Sequence, residues 1–266
     1  MAKIGMSGAF TPTASGPRAA GGAGGGGAGG GAPLGSSGNP ANSAAQMYAA
    51  GERSSGVYYI NLPSVGTREV YCEMGSGWAG GGGWMLAWKC TRGSRFAWGS
   101  SYWSNANTYN TGSLNRSDAD FKSDVFNYYT ANSFLAIFPD LNTGGQTSGY
   151  GGGWSWKQTG QNSTCLSRFQ SQSQISGNPR GQNMWQGSGF SNQHGFQWYG
   201  FYYTGGGHSS EVRWGFGWNN EGGPGSNDVV SGIGTNRANT SAGDHIWCCQ
   251  GTTGVNRSIR AEIWVQ

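Results

Sequence analysis

The sequence predicts an α+β protein in which strands dominate and helices are short, and three observations carry that reading. Glycine supplies 52 of 266 residues and aromatic side chains 14%, while only 11% of residues are charged, a profile that favours pleated, loop-rich structure over long amphipathic helices. Segments such as SGVYYINLP and TREVYCEM interleave β-branched and aromatic residues on either side of a short turn, the pattern of paired strands. Helical patterning is confined to two short stretches that begin at capping residues.

Composition places a flexible arm at 1–38 and one domain at 39–266. The arm contains GGAGGGGAGGGAPLGSSG, which has almost no side chain able to bury area and offset the entropy of ordering. Its first ten residues carry Ile4, Met6 and Phe10, apolar enough to dock on a partner. In NPANSAAQMYAAG, Asn42 or Ser43 supplies an N-cap and Gly51 a stop, which predicts the first helix. SGVYYINLP and TREVYCEM then pair across Ser64-Val65-Gly66, and WMLAWKC follows as a buried strand after glycines 80–83. In SDADFKSDVFNYYT, an N-cap at Ser117, acidic residues in the first turn and apolar Phe121, Val125, Phe126 and Tyr129 predict a second helix. NSFLAIF and SIRAEIWVQ read as central strands, the latter with Ile259, Ala261, Ile263 and Val265 on one face. From about Gly144 to Asp244 the chain is mostly Gly, Ser, Asn, Gln and aromatics, and a large loop region is expected there, where functional residues gather. No period of about 20 to 50 residues recurs, which argues against a solenoid or propeller.

Several function classes drop out. The net charge is +4, but the 16 Lys and Arg are scattered singly, so nucleic acid is not an expected partner. No segment approaches the roughly 18 apolar residues needed to span a bilayer. The opening MAKIGMSGAFTPTASG lacks the apolar core of a secretory signal, so no classical export is expected. Cys72, Cys90, Cys165, Cys248 and Cys249 are too few and too irregular for a disulfide scaffold or a paired zinc site, and their odd number leaves at least one thiol without an intrachain partner. Cys248-Cys249 forms either a vicinal disulfide or two small buried thiols. There is no nucleophile elbow, phosphate-binding loop or zinc-protease motif. Glu211 with Glu221 or Asp228 would be the carboxylates of a glycosidase, but spacing fixes neither separation that chemistry requires, and the chain is expected not to be an enzyme.

One segment does invite a specific chemistry. In WGFGWNNEGGPGSND, Asn219, Asn220, Glu221, Asn227 and Asp228 offer side-chain oxygens within ten residues, and Gly222, Gly223, Pro224 and Gly225 permit a sharp turn between them. Calcium takes roughly six to eight oxygens from a backbone able to wrap around it, and Asp244 is a candidate to close the shell. The spacing is not that of an EF-hand. The same residues also suit an Asn/Gly turn whose side chains cap their own backbone. A sugar site needs planar rings for C–H faces and polar groups for hydroxyls. The rings on offer are Trp198, Tyr199, Tyr202, Tyr203, Trp214, Trp218 and Trp247, most of them expected in the core. Trp218 and Trp247, nearest in sequence to the acidic residues, are the candidate ligand contacts, with His208 and His245 as polar neighbours.

The order SGVYYI, VYCEM, GGGGWMLAWK resembles the opening of fibrinogen-related domains, where a short helix, a Gly-[VL]-Tyr strand, a Tyr-Cys-[DE]-Met strand and a Gly-Gly-Gly-Trp strand follow one another. FGWNNEGGPGSNDV, followed by SAGDHIWCC and a terminal strand, is similar to the C-terminal half of the intelectin branch of that family. The resemblance runs from about Ser43 to Gln266, with Gly144 to Gln197 covered by order and composition more than by motifs. It implies a fibrinogen C-terminal-like domain with a central antiparallel sheet, short helices and a loop-built face that binds carbohydrate diols through Ca2+. Two features depart from the family. Ala44 stands where the first helix usually has a cysteine, so Cys72 has lost its usual partner and either pairs with Cys90 or stays reduced. The glycine run with aromatic and acidic residues that follows a His-His pair in intelectins is missing.

The expectation is a calcium-dependent carbohydrate-binding adhesion module carried by a homo-oligomer on a bacteriophage virion. A head fibre, decoration protein or tail adhesin fits, reaching the outside by lysis, holding capsid or tail proteins through its N-terminal arm and meeting cell-surface glycans. The alternative is a capsid decoration or cement protein that binds no glycan.

Overall fold

The computed structural model describes residues 31–75, 81–141, 154–176, 198–204, 210–218, 229–236, 239–246 and 257–266. Residues Ala32–Gln266 make one compact unit. Within it, residues 33–39 form a turn, with Gly35 donating to Asn39 O at 2.8 Å and accepting from Tyr59 N at 2.8 Å. Leu34 packs on the core, so this end of the glycine-rich composition is already ordered against a strand.

The first helix, α1 (Ala44–Ala49), starts where a Ser43 cap predicts it: the side chain accepts from Gln46 N, and the chain leaves through Gly51 at φ 103°. β1 (Gly56–Leu62) and β2 (Gly66–Glu73) form an antiparallel hairpin in which Leu62 faces Gly66. β3 (Trp84–Cys90) is buried along its whole length. β4 (Phe121–Lys122) pairs with its far end, opposite Trp88 and Lys89. α2 is only Asp124–Tyr128, preceded by Ser123.

The second predicted helix is therefore corrected at its start. Phe121 and Lys122 are extended, because β3 offers them a ladder and Tyr109 exchanges backbone bonds with Lys122 at 2.9 Å. Asp118 and Asp120 serve arginines rather than a first turn: Arg92 meets Asp118 at 2.5 Å, and Arg95 meets Asp120 at 3.3 Å.

β5 (Phe134–Phe138), β6 (Trp154–Gln158) and β13 (Ala261–Val265) complete the first sheet, ordered β1-β2-β3-β13-β5-β6, with β4 beside β3. Its strands are antiparallel, as predicted. One face carries Trp84, Leu86, Phe121, Leu135, Ile137 and Trp264. The other joins the main core, where Phe134 and Trp156 meet rings of a second sheet.

That second sheet is the principal difference from the sequence reading. α3 (Cys165–Gln170), capped by Thr164, leads to β7 (Ile175–Ser176), β8 (Trp198–Tyr203), β9 (Val212–Trp218), β10 (Val229–Thr235), β11 (Ala242–Ile246) and β12 (Arg257–Ser258). They form a six-stranded antiparallel sheet ordered β12-β11-β10-β9-β8-β7, much of it inside the stretch read as loops.

Glycine concealed it. Gly200, Gly215, Gly232 and Gly243 stand opposite one another across four strands. A Cβ on Gly215 would sit 2.0 Å from Ser231 O, and one on Gly232 2.3 Å from Trp214 O, so here glycine is the residue a strand requires. Phe201, Trp214 and Phe216 fill the core side, with Trp214 stacked 5.0 Å from Phe201 and Phe216 4.4 Å from Trp156. Among the described residues Cys72, Cys90 and Cys165 are buried free thiols, and no helix is long and apolar enough to cross a membrane.

Candidate functional site

The register of the second sheet gathers five strand ends. Trp198 faces Gly217, Trp218 faces Val229, Val229 faces Ile246, and Asp244 faces Arg257. The start of β8, the end of β9, the start of β10, the end of β11 and the start of β12 therefore lie at one end of the sheet. Asn219, Asn220, Glu221, Asn227 and Asp228 belong to the segment joining β9 to β10, and Trp247 follows β11; all six lie outside the described residues. Trp218 and His245 are placed by backbone, opposite Val229 and Val230. His208 also lies outside the described residues. It belongs to the β8–β9 connection, and β8 ends and β9 begins at the opposite end of the sheet, roughly 20 Å away along a seven-residue strand.

Asp244 is fully buried and faces Ser231 on one side and Arg257 on the other. The Nε of Arg257 donates to its Oδ2, and the Nη2 lies in ion-pair contact with the same oxygen. The neighbouring Ser231 hydroxyl is buried with no hydrogen-bond partner among the described residues. Asp244 thus sits at the gathered strand ends, with its charge already answered by a guanidinium. Among the described residues no group of three or more His, Cys, Asp and Glu could hold a metal.

The rings expected in the core are found there where they are described: Trp214 is fully buried, and Trp198 stacks on Tyr203 at 4.7 Å. Tyr202 is different. Its φ is 55°, and its partly exposed ring lies 4.8 Å from that of Trp98, which comes from the loop after β3. Arg213 holds the pair, its guanidinium 4.3 Å from the Trp98 ring centre and 5.1 Å from that of Tyr202. Its Nε and Nη2 donate to Trp98 O at 2.9 and 2.7 Å. Gly234 on β10 leaves room for the arginine stem, since a Cβ there would meet Arg213 Cγ at 2.6 Å.

Beside it, Asn236 donates its Nδ2 to Glu211 Oε2 and its backbone N to Glu211 O at 3.0 Å, while Trp98 N donates to Thr235 O at 3.2 Å. Burial pushes the Glu211 carboxyl up, with the Asn236 hydrogen bond and the Arg213 charge pulling it back. Burial also lowers Arg213, and Tyr202 and Glu211 oppose that. Sequence reasoning named Tyr202 only as an available ring and missed Trp98 altogether. The two are more than a hundred positions apart, and no linear pattern joins them.

No family model matches the chain, and no curated protein does. Among solved structures it is similar to the fibrinogen-like globe domain of human ANGPTL6, with 15% identity over 86% of this chain and 96% of that chain and a TM-score of 0.38. That degree of overlap assigns neither a family nor a ligand. What the structure defines is an α+β protein of two antiparallel sheets with short helices.

Proposed function

We propose that this chain is a fibrinogen-related domain of the intelectin-like branch that binds carbohydrate through calcium without enzymatic turnover. Asn219, Asn220, Glu221, Asn227 and Asp228 would hold the ion, with Asp244 at the edge of the shell, and Trp218 and Trp247 would face the sugar with His245 near by. Calcium would supply a charge centre for paired hydroxyls, and the protein's part is to hold the oxygens and rings around it.

The observation that supports this most is the register of β8 to β12, in which the ends flanking 219–228 lie beside the end that leads to Trp247. The motif order that resembles fibrinogen-related domains is the second support. Display of several copies on a virion, anchored by the N-terminal arm to capsid or tail proteins, would turn weak single contacts with cell-surface glycans into firm attachment.

A metal-free structural role, as a capsid decoration or cement protein, is favoured by one observation: the Asp244 carboxylate is already engaged by Arg257. Thermal unfolding of the full chain in calcium and in excess chelator separates the two. A ligand at about a hundredfold excess over its dissociation constant stabilises by about 2.7 kcal/mol. The proposal expects a rise in melting temperature with calcium that Asp228→Ala abolishes. Identical melting in calcium and chelator would refute it and favour the structural role.

A further inference from the structure

We propose a second, metal-independent saccharide site at the other end of the second sheet, formed by Trp98, Tyr202, Glu211 and Asn236 over Arg213. Its ligand class is a gluco-configured oligosaccharide. It is independent of the calcium reading, because none of its residues belongs to 219–228.

The first argument is conformational. A side chain at positive φ is costly, and this chain uses glycine at the other positive-φ positions within the same sheet: Gly200, Gly232, Gly234 and Gly243. At 202, in the same sheet, it keeps a tyrosine with φ 55°. The other described non-glycine residues at positive φ are Ser64, Asn110, Asn162, Gln172 and Asn239, small or amide side chains outside the strands. An aromatic at a strained strand position points to a role for its ring, which lies against Trp98 and Arg213.

The second argument is chemical. The Trp98 and Tyr202 rings are 4.8 Å apart and tilted by 31°, and both are partly exposed. Arg213 fixes their positions from within, bonding to the Trp98 carbonyl and lying against both rings. At that spacing the two rings lie against each other, so a sugar would meet an outer face of the pair: a gluco-configured pyranose carries its hydroxyls equatorially and its C–H groups axially, and offers a flat apolar face to that ring with a polar rim around it. The rim has counterparts here. Glu211 uses Oε2 and its backbone carbonyl toward Asn236, which among the described residues leaves Oε1 to accept from a hydroxyl, with Asn236 holding the carboxylate in place.

The test titrates the full chain, in excess chelator, with cellotetraose, maltotetraose and chitotetraose, followed by tryptophan fluorescence and calorimetry. Tyr202→Gly relieves the backbone strain while removing the ring, and Glu211→Gln keeps the shape while removing the charge. The expected result is binding of at least one of the three sugars without calcium, weakened about tenfold or more in Tyr202→Gly although its melting temperature is unchanged or higher. Glu211→Gln weakens binding in the same direction, and it carries the test alone should Tyr202→Gly fail to fold. No binding of any of the three sugars, or equal binding by wild type and both variants, overturns the site and leaves Arg213 as a staple between β9 and the Trp98 loop. Since every titration is run in chelator, loss of this site and loss of the calcium site are read separately.

Discussion

Lys122 tests how the core beneath β3 is held. It is fully buried, its Nζ donates to Tyr102 O at 2.7 Å and Asn105 O at 2.6 Å, and it lies 4.9 Å from the centre of the Phe126 ring. Burial lowers its pKa from the ordinary 10.5 to about 8, with Cys165 acting the other way. At about 1.4 kcal/mol per pH unit, the ammonium carries a desolvation cost of about 3 kcal/mol at neutral pH. Lys122→Met removes that cost. It also leaves two part-buried carbonyls unpaired, at up to about 1 to 3 kcal/mol each. The lost cation–π contact adds about 2 kcal/mol. The losses outweigh the gain, and the variant is expected to be about 3 kcal/mol less stable at pH 7.

The pH dependence is the sharper part of this prediction. Between pH 8 and 10.5 the unfolded lysine keeps a proton that the folded one has released, so this residue's contribution to stability rises with pH. Methionine gains nothing over the same range, and the deficit of the variant should widen by about 2 to 3 kcal/mol between pH 7 and pH 10. Buried Cys72, Cys90 and Cys165 have raised pKa values, and their contributions run the other way, lost as pH climbs through the range where unfolded thiols ionise. Urea unfolding of wild type and variant side by side at pH 7, 8.5 and 10 subtracts the Cys72 and Cys90 titrations, which do not involve Lys122, and leaves the Lys122–Cys165 coupling in the difference. A gap that stays level or narrows with pH would refute the account of a charged lysine held at a desolvation cost.

Two further predictions concern the sheets. Gly232→Ala should cost about 3 kcal/mol or more, because its φ is +140° and the new Cβ would lie 2.3 Å from Trp214 O. Gly112→Ala, with nothing within 4 Å of its Cβ, should stay within about 0.5 kcal/mol of wild type, and equal losses at the two sites in urea unfolding would contradict the glycine-row argument. Arg116→Ala should cost about 3 to 5 kcal/mol, since Arg116 pairs with Glu262 at 2.8 Å and that carboxylate is buried. Arg116→Lys should recover part of the loss, and a cost below about 1 kcal/mol for Arg116→Ala in the same assay would mean that the pair is solvated.

Local chemistry was enough to read the opening of the domain as far as β3. The Ser43 cap and Gly51 stop set α1, the alternation in SGVYYINLP and TREVYCEM set the hairpin, and the unbroken apolar run WMLAW set a strand buried on both faces. Each signal lies within a few residues of what it specifies. The second sheet was not legible, because its strands alternate aromatic residues with glycine, and glycine counts against a strand until a neighbouring backbone is known to need the space. The start of α2 was misread for a related reason: Phe121 and Lys122 fit a helical period, but β3 supplied a ladder partner that the segment itself does not contain.

The candidate residues divide along the same line. The sequence by itself determined which oxygens and rings are available, since Asn219 to Asp228 is a contiguous run. Only the tertiary structure decided that Asp244 answers Arg257 and that Trp98 meets Tyr202, because an ion pair across a strand ladder and a ring pair across more than a hundred residues depend on strand order and register, which no single segment encodes.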